Sequence, residues 1–166
     1  AFNDNSYENN RVNDQTVRLA NSLILGNSHY LEFGGEATRN TIDYNYIFNE
    51  ELGKTDRYGK GLTTAFYLQD RYRPIKKLEI TPGIRAARYS ITKKLYTEPR
   101  LSLIYHASDK LRLKSAAGRY HQFVRNLMRE SPMEGDQDFW TLSDDAVVPV
   151  SAATHFIGGA SYESDQ

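Results

Sequence analysis

Four histidines, His29, His106, His121 and His155, are the side chains of this 166-residue sequence best suited to metal ligation or proton transfer. No two share the spacing of a helical HExxH site. Three fall near the ends of strand-like segments, where histidine is more often an interfacial or loop residue than a ligand. There is no cysteine, so thiolate ligands, disulfides and thiol nucleophiles are excluded. Serines and aspartates are plentiful, but no serine lies in a GxSxG context. The glycine pairs 34–35 and 158–159 are followed by neither a lysine nor a helical pattern, so a phosphate loop fails. Close packing or strand curvature is the simpler reading of both. The sequence thus predicts no catalytic residue, no metal and no cofactor; it does not read as an enzyme.

Binding chemistry is better represented. Tyr44, Tyr46, Phe48 and Tyr58 stand among acids and amides in a stretch over 41–58, and Phe139 and Trp140 lie within the acidic run EGDQDFWTLSDD. Aromatic rings beside hydrogen-bonding groups grip a sugar, a peptide or a siderophore. The alternatives are a loop packing on its own aromatics or a contact to a surface lipoprotein. A second set is charged: Glu32, Glu36, Glu79, Arg85, Glu98, Arg100 and Arg112 recur at strand spacing with both signs.

The elements that must position these groups are strands. Alternation predicts seven, over about 15–25, 29–40, 60–72, 77–89, 95–106, 110–121 and 153–162. Leu31, Phe33 and Ala37 oppose Tyr30, Glu32, Glu36 and Thr38. Leu62, Phe66 and Leu68 oppose Thr63, Tyr67, Gln69 and Arg71. Leu78, Ile80, Ile84 and Ala86 oppose Glu79, Thr81 and Arg85. Leu101, Leu103 and Tyr105 oppose Glu98, Arg100 and Ser102, and Leu111, Leu113 and Ala117 oppose Arg112, Lys114 and Tyr120. Short connections (GNS at 26–28, RPIKK at 73–77, ASDK at 107–110) fall on one rim. The stretches 41–58, 90–94 and 122–152 fall on the other. This predicts an all-β, antiparallel up-and-down meander, part of a large transmembrane β-barrel.

The bulk composition agrees. Apolar residues make up 39% of the chain, and no run approaches the ~18 that a membrane helix needs. A barrel strand shows lipid only at every second residue, so modest hydropathy is compatible with a membrane. Formal charge balances at 21 against 21, which excludes a nucleic-acid footprint. Tyrosine supplies 12 aromatic side chains, suited to an interfacial girdle. Strands of about ten residues exceed the usual soluble strand and suit a bilayer. Repeated charge on the polar face can pair laterally between strands. A soluble sheet with a solvated outer face is the alternative. Pro82 and Pro99 sit mid-strand, where each deletes a ladder donor, and predict bulges. The opening AFNDNSYENNRVND resembles no signal peptide and reads as a loop, and YESDQ reads as a further turn. An odd strand count and such ends predict a partial barrel spanning 1–166, its plug and remaining strands lying elsewhere.

Four runs, LQDRYRP (68–74), LEITPGIRAARYS (78–90), EPRLSLIYHASDKLRLKSAAGRYHQF (98–123) and ATHFIGGASYE (153–163), in this order resemble the barrel of TonB-dependent outer-membrane receptors, especially those of Bacteroidota-type bacteria. The resemblance covers most of 29–163. It implies a bacterial outer-membrane segment of a 22-stranded barrel with an N-terminal plug, importing a scarce nutrient (siderophore, cofactor, glycan or peptide) by energised transport. It implies lipid, the plug and the TonB system as partners, and places the seven charged residues toward the lumen and the six loop aromatics toward ligand. A passive porin-like or structural barrel and a soluble β-sheet ligand-binding module are the alternatives.

Overall fold

The computed structural model describes residues 6–48, 54–129 and 137–164. Its elements are all strands: β1 (Ser6–Leu25), β2 (His29–Phe48), β3 (Lys54–Ile75), β4 (Leu78–Tyr89), β5 (Leu95–His106), β6 (Leu111–Gln122), β7 (Val124–Arg129), β8 (Gln137–Leu142) and β9 (Ser151–Tyr162). Seven form one curled antiparallel sheet in the order β1-β2-β3-β4-β5-β6-β9, a half-barrel, while β7 and β8 pair as a separate hairpin between β6 and β9.

The sequence-based boundaries of β4, β5, β6 and β9 agree within two residues, but those of the first three strands do not. The stretches read as loops over 1–14 and 41–58 are strand from Ser6, through Phe48 and from Lys54; residues 1–5 and 49–53 lie outside the described ones. Pairing is continuous from Leu25↔His29 to Ser6↔Phe48 and from His29↔Tyr72 to Ile47↔Lys54. These Asn-, Tyr- and Asp-rich segments lack an apolar alternation because a strand projecting beyond the hydrocarbon has no lipid to face. The stretch 122–152 likewise contains the β7–β8 hairpin rather than loop alone.

Burial is inverted relative to a soluble sheet. One face of the strands carries Val17, Phe66 and Phe156, which are 77%, 68% and 81% exposed. The opposite, inward face carries Asn40, Tyr44, Thr63, Ala65, Ala87, Tyr89 and Glu98, all buried. Apolar side chains out and polar or charged ones in is the arrangement that lipid imposes. Tyrosines divide by position: Tyr72, Tyr105 and Tyr162 stand on the outward face near the short-turn rim, and Tyr7 and Tyr58 on that face at the far ends of β1 and β3, whereas Tyr44, Tyr67, Tyr89 and Tyr120 share the inward face.

Neither proline makes a bulge. The β4–β5 register runs unbroken through Pro82↔Leu101 and Ile84↔Pro99. What lapses is the ladder on the side of the missing amide. The Tyr89 amide donates to Lys94 O and the His106 amide to Lys77 O, so by alternation Pro82 fails to donate toward β3 and Pro99 toward β6. The β3–β4 pairing is interrupted between Gln69↔Gly83 and Tyr72↔Ile80, opposite Pro82, and the β5–β6 pairing stops at Arg100↔Gly118, beside Pro99. The register shift falls instead between Tyr72 and Ile75, at Pro74.

The first glycine pair does reflect close packing. Gly34 and Gly35 pair with Tyr67 and Phe66, whose rings cover them on opposite faces. A Cβ on Gly34 would lie 2.7 Å from the Tyr67 hydroxyl oxygen and against the Leu19 carbonyl. Gly158 and Gly159 have open space around them, so close packing does not account for that pair. We expect Gly34→Ala to cost the folded protein about 1–3 kcal/mol through overpacking. Gly158→Ala should change stability by less than about 0.5 kcal/mol. Urea unfolding, followed by loss of the heat-modifiable band on a gel, compares them; equal losses would contradict the packing argument.

Candidate functional site

The inward face is organised around Arg85 on β4. Its Nη2 lies 2.6 Å from Glu36 Oε1 on β2, and its Nη1 3.1 Å from Glu98 Oε2 on β5. Arg85 is opposite Tyr67 on β3 and reaches Glu36 diagonally, past Ala65, the fully buried partner of Glu36, whose methyl group leaves room for the guanidinium. Arg18 Nη2 binds the other Glu36 oxygen at 2.6 Å, and Arg100 Nη2 binds Glu98 Oε2 at 3.1 Å. A chain of alternating charge, Arg18–Glu36–Arg85–Glu98–Arg100, therefore runs from β1 to β5.

Glu98 has a second task. It is 2% exposed and stands where the β5–β6 ladder stops. Its Oε1 accepts a hydrogen bond from the His121 amide at 3.0 Å, so a carboxylate replaces the backbone partner that Pro99's neighbourhood does not supply. The His121 ring also lies here, its Nδ1 3.6 Å from the same oxygen and its centroid 5.0 Å from that of Tyr96.

Of the seven charged positions read from the sequence, Glu36, Arg85, Glu98 and Arg100 come together. The other three have separate partners: Glu32 accepts from Gln69 Nε2 at 2.5 Å, Glu79 pairs with Arg73 at 2.8 Å, and Arg112 pairs with Glu163.

The six aromatic positions do not form one cluster. Tyr44 is 4% exposed, with Phe139 of β8 5.3 Å away and the Arg57 guanidinium 5.4 Å from the Phe139 ring centroid. Tyr46 is also buried on this face. Tyr58 pairs with Asp43 on the outward face, beneath the Lys60 ammonium at 4.9 Å. The backbone of Phe48 ends β2, and its side chain lies outside the described residues. Trp140 lines a cavity of about 700 Å³ between the sheet and the hairpin, whose other walls include Asp14, Thr38, Asn40, Arg85, His121 and Gln122. Asn40 Nδ2 donates to Asp14 Oδ1 at 2.5 Å, fixing both groups at the cavity floor.

The hairpin's return is pinned outside the sheet. Asp144 Oδ1 accepts from the amides of Ala146, Val147 and Val148 at 2.9, 2.9 and 2.8 Å. Asp145, at φ 60°, accepts from the Val150 amide at 2.9 Å and from Lys94 Nζ at 2.9 Å. The Val148 amide leads in holding the Asp144 carboxyl below its ordinary range, and the Val150 amide leads for Asp145. The hydrogen bond from Lys94 to Asp145 raises the lysine. Below the hairpin, Phe123 packs on Tyr89 at 4.6 Å and Tyr96 at 5.1 Å.

Sequence reasoning missed Asp14, Arg18, Asn40, Asp144 and Asp145 as members of this site. Arg18 was within reach, because it alternates with Val17 and Leu19. Asp14 was not, since the stretch around it carries no strand signal. Of the histidines, His29 binds Asp70 at 2.7 Å and stacks on Tyr72, and His155 packs on Tyr120. Among the described residues, no group of three histidines or carboxylates could hold a metal ion.

A curled antiparallel sheet with an exposed apolar face and a charge-paired inner face is a wall of an outer-membrane β-barrel. The chain belongs to the family described as TonB dependent receptor-like, beta-barrel, whose model matches residues 1–143. No curated protein matches it. Among solved structures it resembles the ferric enterobactin receptor PfeA in complex with BCV-L6, at a TM-score of 0.63 and 14% identity over 95% of this chain and 25% of that one. It also resembles a point mutant of the same receptor from Pseudomonas aeruginosa in complex with enterobactin, at 0.61 and 15% identity over 96% and 25%. At such identity the likeness concerns the fold, and the chain spans about a quarter of the length of those receptors. The family and these neighbours are transport receptors rather than enzymes.

Two expectations follow. Glu98→Gln keeps an acceptor for the His121 amide but removes the charge shared by Arg85 and Arg100, and should cost about 2 kcal/mol, as for hydrogen bonds to charged groups. Arg18→Gln, at an exposed arginine, should barely alter stability. Urea unfolding of the two receptor variants separates them; an Arg18 loss as large as that of Glu98 would refute the central role of Glu98. The two depressed carboxyls set a pH dependence. A depressed folded-state value gives stabilisation that is complete above the unfolded aspartate value of ~4 and is lost as pH falls through the folded value. Hydrogen exchange of 143–150 in the full receptor should show protection unchanged between neutral pH and about 5 and falling only below ~4.

Proposed function

We propose that this chain is part of the barrel wall of a receptor in the bacterial outer membrane, importing a scarce nutrient through TonB-energised transport. The observation that carries the reading is the inversion of burial in a chain of this family: apolar side chains toward lipid, carboxylates and guanidinium groups inward. In this reading Glu32, Glu36, Glu79, Arg85, Glu98, Arg100 and Arg112 face the lumen and its plug. Paired charges there give a stiff, hydrated wall against which a plug can shift without meeting an adhesive apolar surface.

The cavity beneath the hairpin is the reading's ligand-facing surface. Trp140 offers an aromatic face, while Asp14, Asn40 and Gln122 offer planar hydrogen-bonding groups. Tyr44, Tyr46 and Phe139 support it from behind. Tyr58, on the other face, is assigned to the membrane interface instead of the ligand. A ferric siderophore, as the neighbours' names suggest, is one candidate cargo; a cofactor, glycan or peptide meets the same surface chemistry. A surface lipoprotein would approach from the hairpin side. A soluble binding module is disfavoured by the exposure of Val17, Phe66 and Phe156.

Uptake of candidate nutrients by cells carrying the receptor tests the reading. Uptake should fall to background when TonB is removed and drop several-fold in Trp140→Ala. Uptake indifferent to TonB would identify a passive pore and overturn the proposal.

A further inference from the structure

The walls of the cavity beneath the hairpin divide by chemistry. Its volume of about 700 Å³ lies within the range of small-molecule sites, roughly 300–1,000 Å³. Trp140, 40% exposed, shares the apolar wall with Val12 and Val124. The polar wall consists of Asp14, Thr38, Asn40, Thr63 and Gln122. Asn40 and Thr63 are buried, and Asn40 is fixed by its bond to Asp14.

Charge is the discriminating property. Among the described residues that line the cavity, Arg85 is the one permanent cation, and Glu36 and Glu98 already hold it at 2.6 and 3.1 Å. His121 has its Nδ1 3.6 Å from Glu98, so a proton there would be answered by that carboxylate. Arg57 lines a separate cavity of about 220 Å³ and rests over the Phe139 ring at 5.4 Å. The acids that follow Trp140 in sequence do not contribute: Asp144 and Asp145 accept backbone amides outside this wall. Asp14 is the one carboxylate in the lining. Its Oδ1 accepts from Asn40, and its Oδ2 has no partner among the described residues.

We infer that this cavity binds an uncharged, hydroxyl-rich ligand, a neutral oligosaccharide, with one sugar ring lying against Trp140. The inference rests on the receptor reading above and narrows its cargo. A sugar ring offers an apolar C–H face to the indole and hydroxyls at its edge. Each hydroxyl both donates and accepts, which matches the mixed capacity left on Asn40, Gln122 and the threonines. A ligand without hydroxyls would bury Asn40 and Thr63 against groups that cannot pair with them, so apolar cargo is rejected. An anionic ferric chelate would bring negative charge beside Asp14 with no uncommitted guanidinium in the walls to receive it.

The test uses the full receptor in detergent on an immobilised array of neutral oligosaccharides, built from hexoses and N-acetylhexosamines, and their uronate-bearing counterparts. Heat-modifiability on gels monitors the barrel separately. We expect neutral members to be retained and their uronate counterparts to bind roughly tenfold or more weakly. Trp140→Ala should weaken binding about tenfold or more and Gln122→Ala several-fold, with the barrel intact. Retention of no neutral oligosaccharide, or equal retention of neutral and uronate members, would overturn the inference. Trilysine tests Asp14 as a cation site: binding tighter than that of any sugar, and lost in Asp14→Asn, would overturn the sugar assignment. If Trp140→Ala does not fold, Gln122→Ala at its exposed position decides in the same way. TonB-dependent uptake of an anionic ferric chelate, without sugar binding, would overturn the inference and leave the transport reading standing. Sugar binding by a receptor whose uptake ignores TonB would support the site and refute that reading.

Discussion

A sheet that turns its apolar side chains outward to lipid must satisfy its charges on the other face, within itself. That constraint organises this half-barrel. Arg85 is held between Glu36 and Glu98, and each carboxylate holds a further arginine, so the chain of charge crosses from β1 to β5 without an unpaired member. Removing Glu36, Arg85 or Glu98 from the buried middle of the row leaves a neighbour uncompensated, whereas the exposed Arg18 at its end can be lost at little cost. The small residues are part of the same solution. Ala65 and Ala87 lie under the guanidinium and the aromatic cluster, where any longer side chain would separate Arg85 from Glu36 or lift Phe123 from Tyr89.

The prolines show the same economy in the backbone. Each removes one donor, and the sheet responds on the affected side alone. Next to Pro99 the ladder with β6 ends, and the Glu98 carboxylate takes the His121 amide. A single side chain thus closes the electrostatic row and the gap in the hydrogen-bond ladder. Above the point where that ladder ends, the β7–β8 hairpin and the cavity bordered by Asn40, His121 and Trp140 occupy the inward face.

The meander, its face assignments and the family were legible in the sequence because alternation is strictest where one face meets lipid. In β2, Leu31 and Phe33 against Glu32 and Glu36 admit one register. Legibility fell where that boundary condition ended. Beyond Asn40 and before Lys60 the strands continue with Thr, Asp and Tyr on both faces, and polarity alone makes them look like loop. The site was legible only by residue type. Arg85 and Glu98 could be placed on the polar face, but that Glu36 lies opposite the small Ala65, within diagonal reach of Arg85 two strands away, is a fact of register. Asp144 and Asp145 looked like part of an acidic loop; they act by accepting backbone amides, which no charge pattern announces.

The same boundary condition separates two uses of arginine in one sheet. On the inward face a guanidinium is needed to neutralise a carboxylate that could not otherwise be buried, and Arg18, Arg85 and Arg100 each have a carboxylate within hydrogen-bond distance. On the outward face of β1 to β4, within the hydrocarbon, it is absent: Leu19, Phe33, Phe66, Leu68 and Ile84 fill that band. It returns at Arg39 and Arg88, at the height where the hydrocarbon ends, and there the sheet supplies it no partner of its own. Among the described residues neither has an ion-pair partner, and each stands exposed, where a guanidinium beyond the hydrocarbon keeps its hydration and needs no carboxylate of its own.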